Sequence, residues 1–89
     1  MTFEAIHNYY EHLVFRKIAE AAAVEDANFL EDVACVALNH LPPRYVRQSI
    51  DLLFYMSSDE YAEMLRRVDE AVENAIAFVQ ANRKRQGKG

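Results

Sequence analysis

Leu38-Asn39-His40-Leu41-Pro42-Pro43-Arg44-Tyr45-Val46-Arg47 decides how this chain is built. An apolar helical run meets two consecutive prolines and continues as a short, basic, aromatic-containing loop. Proline lacks the N–H that a helix interior needs and pushes the residue before it out of the helical region. The chain must therefore turn at Leu41, and Arg44, Tyr45 and Arg47 follow on a stiffened base. Two guanidinium forks and a phenol on a rigid corner suit a phosphate or a nucleobase better than a hydrophobic core.

Upstream of this corner the spacing predicts a helix from about Asn28 to the prolines, with Glu31 at capping-box distance. Leu30, Val33, Ala34, Ala37, Leu38 and Leu41 form its inward face, and the prolines end it. A first helix runs from about Thr2, its expected N-cap, to about Ala23. Its stripe is Phe3, Ile6, Tyr10, Leu13, Val14, Ile18 and Ala21. Downstream, Ser57 and Glu60 again have capping-box spacing and start a third helix that continues to about Lys84. Tyr61, Leu65, Val68, Val72, Ala75 and Val79 step 4-3-4-3-4 along it, a heptad pattern.

At 1.5 Å per residue the third helix spans roughly 40 Å, longer than a compact domain of this size. Part of its stripe is expected to overhang the monomer and to pack on a second copy. Between corner and third helix, Ile50 to Met56 alternates as a short strand does. A helical turn on the core is the equal alternative. The expected fold class is thus all-α. Residues 1–84 form one small three-helix domain with a Pro-Pro corner and a short extended segment, homodimeric through the long C-terminal helix. Residues 85–89 form a flexible basic tail.

Composition bounds the function. The 89 residues are 52% hydrophobic, enough for one small core. The chain contains neither an 18-residue apolar run nor a basic-apolar leader, so a cytoplasmic location with no membrane span is expected. The single cysteine, Cys35, allows no intrachain disulfide or multi-thiolate metal site. Among Val33, Ala34, Val36 and Ala37 it reads as a buried, inert thiol. His7 and His12 point to different helix faces and His40 is remote, so no metal centre is expected. A net charge of −4 argues against bulk nucleic-acid binding. The charges are nonetheless segregated: from Val33 to Ile50 there is no acid, only Arg44 and Arg47.

Two stretches resemble a known family. Asp32-Val33-Ala34-Cys35-Val36-Ala37-Leu38-Asn39-His40-Leu41-Pro42-Pro43-Arg44-Tyr45-Val46 is similar to the central D-V/I-x-x-x-A-L-N-x-L-P-P-x-Y signature of the ComFB-like proteins. These are small bacterial proteins named for late competence development. His7-Asn8-Tyr9-Tyr10-Glu11-His12-Leu13-Val14 resembles the N-x-x-E-x-L-V helix of the same family. The resemblance covers nearly the whole chain. It implies a homodimeric binding protein, not an enzyme, that recognises a cyclic dinucleotide second messenger, c-di-GMP or in some members c-di-AMP. Some members carry a cysteine cluster suited to zinc between the first two helices. Ala21 to Leu30 holds no cysteine here, so zinc is not carried over and no cofactor is expected.

A cyclic dinucleotide offers two phosphates, two purine faces and two base edges, with approximate two-fold symmetry. Arginine grips phosphate or the guanine O6/N7 edge with a bidentate fork, and tyrosine offers a stacking face. Under this resemblance Arg44, Tyr45 and Arg47 are the first candidate ligand-binding residues. Asn8 and Asn39 are candidates to read a base edge, and Glu11 to accept from guanine N1/N2. Tyr9 and Tyr10 are adjacent and cannot both face one core, so Tyr9 is the freer candidate for a ligand or partner. Blander readings stand beside these. Arg44 and Arg47 can pair with Glu31, Asp32 or Asp51, Tyr45 can plug the corner, and Asn39 can satisfy helix-end carbonyls. The expected function is a cytoplasmic c-di-GMP receptor that relays the signal to a downstream protein partner. The alternative is a competence-related helical adaptor without a small-molecule ligand. Nucleic-acid binding through Arg83 to Gly89 is a weaker third reading.

Overall fold

The computed structural model describes residues 5–22, 24–47 and 56–86. The element order is β1 (His7–Asn8), α1 (Tyr9–Ala21), α2 (Ala27–Asn39), β2 (Tyr45–Val46) and α3 (Ser58–Gln86). The helical expectation holds, with one addition: β1 and β2 pair antiparallel, His7 opposite Val46 and Asn8 opposite Tyr45. Thr2, Phe3, Ala23, the run from Ile50 to Tyr55 and the last three residues lie outside the described residues.

Each helix begins at a side-chain cap. Asn8 caps α1: its φ/ψ of −83°/116° is extended, and its side chain accepts from the Tyr10 N–H. An N-cap must stay outside the helical region, so the same residue can end a strand and begin a helix. This is why α1 starts at Tyr9 and not near Thr2. The apolar spacing runs straight through Asn8 and carries no sign of the boundary. Asp26, not Asn28, caps α2 by accepting from the Phe29 N–H at 2.7 Å. Ser57 caps α3, its Oγ accepting from the Glu60 N–H at 3.1 Å, as the capping-box spacing indicated.

Helix α2 stops at Asn39, two residues before Leu41, because Pro42 keeps Leu41 out of helical geometry. His40 takes the C-cap position, and its Nδ1 lies 2.8 Å from the Val36 carbonyl. A carbonyl only accepts, so Nδ1 carries the proton. Leu41 still turns inward and is buried.

The three helices pack around one hydrophobic cluster. Residue pairs at the helix ends fix their directions. Arg83 reaches Asp26 at one end of α3, while Leu41, Pro42 and Arg67 share a groove further towards its start. Helix α2 therefore runs antiparallel to α3. Lys17 meets Asp69 at 3.4 Å, and Tyr9 lies close to Tyr61, so α1 runs parallel to α3. Between them the two short helices cover most of the long one.

That coverage corrects the expected overhang. Helix α3 has 29 residues and is about 43 Å long. Yet Val68, Val72, Ala75 and Val79 are buried within the protomer, with Met64 rather than Leu65 buried ahead of them, so this part of the heptad stripe is not left for a second copy. A second correction concerns Cys35, which is exposed. The buried line of α2 is Phe29, Val33 and Ala37, at steps of four. Cys35 lies two residues from Val33, about 200° around the helix, so its apolar sequence neighbours said nothing about its own direction. At the end of α1 the C-cap residue Ala22 rather than Ala21 is buried, and Ile6, ahead of β1, is half exposed.

Candidate functional site

The corner loop is tied to the start of α1 by a compact set of bonds. The Tyr9 N–H donates to the Arg44 carbonyl at 2.7 Å. The Arg44 N–H donates to Asn8 Oδ1 at 2.9 Å, and the Tyr10 N–H donates to the same oxygen at 3.2 Å. One amide oxygen therefore caps a helix and holds a loop 36 residues away. With the β1–β2 pairing this fixes the backbone on both sides of Arg44. The two prolines restrict it further.

Side chains then fan out from the pinned backbone. Successive residues of an extended segment face opposite sides. Val46 turns towards the core and is half buried, whereas Tyr45 turns outward and is 66% exposed. Tyr45 therefore does not plug the corner. Arg44 and Arg47 are exposed as well, and among the described residues neither forms an ion pair.

Arg44 lines a groove of about 470 Å³ between the corner and the first turns of α3. Tyr10, Pro42, Pro43, Met56 and Met64 supply its apolar part, and Asp59, Glu60, Glu63 and Arg67 its charge. The volume falls in the range of small-molecule sites. Glu63 is already engaged: hydrogen bonds from Arg66, and then from Arg67, hold its carboxyl down at about 2. Asp59 and Glu60 form no ion pair among the described residues. The groove thus sets two arginines, Arg44 and Arg67, and an apolar floor beside the Asp59 and Glu60 carboxyl groups. Such an arrangement can hold a planar, partly apolar group that carries both hydrogen-bond donors and acceptors.

The sequence candidates divide on this geometry. Asn8, Arg44 and Tyr45 are brought together, but Asn8 acts through its bonds to backbone N–H groups. Tyr9 is corrected: it is only 8% exposed, and burial, with Tyr61 close by, raises its pKa. Tyr10 is buried too. Adjacent helix residues lie 100° apart, and here different elements cover each: Tyr61 lies against Tyr9, and Tyr10 faces Pro42 and Met64 in the groove. Glu11 is exposed in the first turn of α1, and Asn39 is exposed at the end of α2; neither lines the groove. The carbonyl-satisfying role foreseen for Asn39 belongs to its neighbour His40.

Asp59, Glu60 and Arg67 were missed as site residues. The Ser57–Glu60 capping box marked where α3 begins, but not that this end abuts the prolines. Among the described residues no three metal-ligating side chains cluster, and no helix is long and apolar enough to cross a membrane.

A family model described as late competence development protein ComFB matches residues 7–83, a span that contains the Asn8 cap, the Pro-Pro corner and the whole groove lining. No curated protein and no solved structure shows significant similarity to the chain. The match covers well over half of the sequence, and the chain belongs to the ComFB family.

Proposed function

We propose that this protein is a cytoplasmic, non-enzymatic receptor for a cyclic dinucleotide, c-di-GMP first, which acts as a two-fold dimer and passes the signal to a protein partner. The observation that carries the reading is the Arg44–Tyr45–Arg47 segment: three exposed recognition side chains on a backbone held by Asn8 and Tyr9. Exposed arginines on a pre-organised loop lose little freedom on binding phosphate, and an exposed phenol can stack on a purine. Arg44 further adjoins a groove with an apolar floor.

Isothermal titration with c-di-GMP, c-di-AMP and GTP at physiological salt tests it. The expected result is saturable binding of a cyclic dinucleotide at micromolar or lower concentration, abolished by Arg44→Ala or Tyr45→Ala with the fold intact. Both side chains are exposed, so neither truncation should unfold the domain. No heat and no thermal stabilisation with either dinucleotide would overturn the receptor reading.

The helical adaptor without a ligand would then stand in its place. It is supported by Phe15, 52% exposed beside Leu30 and Ala34 in an almost wholly apolar notch between α1 and α2. Such a surface suits a protein partner.

A further inference from the structure

A second and larger groove, about 590 Å³, runs along the notch between the end of α2 and the middle of α3. Val36, Leu41, Ala71 and Ala75 form its apolar walls, and Phe78 stands at its edge, 55% exposed. Asn74 lies between Ala71 and Phe78 on the same lining. This surface borders the buried heptad stripe at Ala75 and otherwise belongs to the neighbouring face of the same helix. It presents a knob, Phe78, beside a hole that Ala71 and Ala75 leave open on the α3 side.

We infer that the occupant of this groove is a second copy of the chain. Two α3 helices cross antiparallel about an axis at Asn74, and each Phe78 enters the notch of the other copy. The inference deepens the dimer reading above and rests on it. Three observations converge on a copy rather than a foreign partner. With Asn74 at the axis, residues equally distant from it oppose one another, so Phe78 meets the turn carrying Glu70 and Ala71, where the hole is. A two-fold interface requires this self-complementarity, because each patch must receive itself.

Ala77 and Ala81 are exposed and small, and Ala71 is half-buried beside the groove, which lets two helices approach closely. Charge also runs in opposite senses along the helix. From Ser58 to Asn74 there are six acids against two arginines, and from Ala75 to Gln86 there are Arg83, Lys84, Arg85 and no acid. Antiparallel crossing sets the acidic half of each copy against the basic half of the other and aligns the two helix dipoles favourably. A parallel pairing would set like against like.

The test combines mass measurement with a cross-link at the axis. Light scattering across a concentration series is expected to give twice the 10.3 kDa chain mass for wild type and the monomer mass for Phe78→Asp. Phe78 is exposed, so the variant should keep its helicity. In a Cys35→Ser background, Asn74→Cys should oxidise to a disulfide-linked dimer, because a residue on a two-fold axis meets its own copy. Glu73→Cys, 100° around the helix, should not. A wild-type dimer that survives Phe78→Asp, or in which Asn74→Cys fails to link, would overturn this surface and leave the dimer reading standing. A wild-type monomer at every concentration would overturn both, and would leave the groove to a different protein.

Discussion

At Asn8 one amide oxygen accepts from two backbone N–H groups, those of Tyr10 and Arg44, while the residue's extended backbone completes the ladder with Tyr45. Asn8→Ala removes the one acceptor of both bonds and should cost about 1–2 kcal/mol in urea denaturation. Asn8→Asp keeps an oxygen in the same place and should stay near wild type. If the alanine variant unfolds at the wild-type midpoint, Asn8 does not hold the corner. The same scale decides Cys35. Exposed on α2, it should react with a thiol reagent in the native protein as readily as in denaturant. Protection until unfolding would show that the thiol is covered in solution.

Among the elements, the contact between the start of α2 and the end of α3 is the one with a pH signature. Arg83 donates to both Asp26 oxygens, at 3.0 and 3.3 Å, and its guanidinium lies 5.1 Å from the centre of the Phe29 ring. The Arg83 hydrogen bond, then the Phe29 N–H, hold the Asp26 carboxyl below its ordinary 3.8. Glu63 is held likewise at about 2, against 4.5 ordinarily, by Arg66 and Arg67. A carboxyl with a depressed folded pKa stabilises the fold while ionised. That contribution is complete above the unfolded pKa and is lost as pH falls through the folded one. The urea midpoint should therefore be flat near neutrality and fall below about pH 4.5. Both groups are exposed and screened, so the fall attributable to them should be shallow. Asp26→Asn retains an acceptor for the Phe29 N–H but loses the charge that Arg83 pairs with, and should flatten the acid limb. An unchanged acid limb in that variant would remove Asp26 from the account.

For the molecule as a whole, a single hydrophobic cluster carries the stability, and position within it should matter more than residue type. Leu13 and Phe15 sit two residues apart on α1, one 2% exposed and the other 52%. Leu13→Ala leaves a cavity and should cost about 2–5 kcal/mol, a large part of what a domain of this size has. Phe15→Ala should change stability by no more than about 0.5 kcal/mol, because the larger side chain is the less buried. Comparable losses from the two would mean that Phe15 is covered in solution, by a partner or a second copy.

Read from the sequence alone, the chain determined its three helices, the stop before Pro42, the start of α3 at the Ser57–Glu60 box and its family. Those features are local: prolines, caps and apolar spacing act within one or two turns, and the family resemblance is carried by two continuous stretches. Only the tertiary structure decided that Asn8 holds Arg44 and that Asp59, Glu60 and Arg67 share a groove with the corner. It likewise decided that Tyr9 and Tyr10 are both buried, that Cys35 is exposed, and that the buried stripe of α3 is spent inside the protomer. Each of those outcomes depends on which distant segment comes to lie against a given face. Helical periodicity specifies that a face is apolar, whereas what covers it is set by packing between residues tens of positions apart.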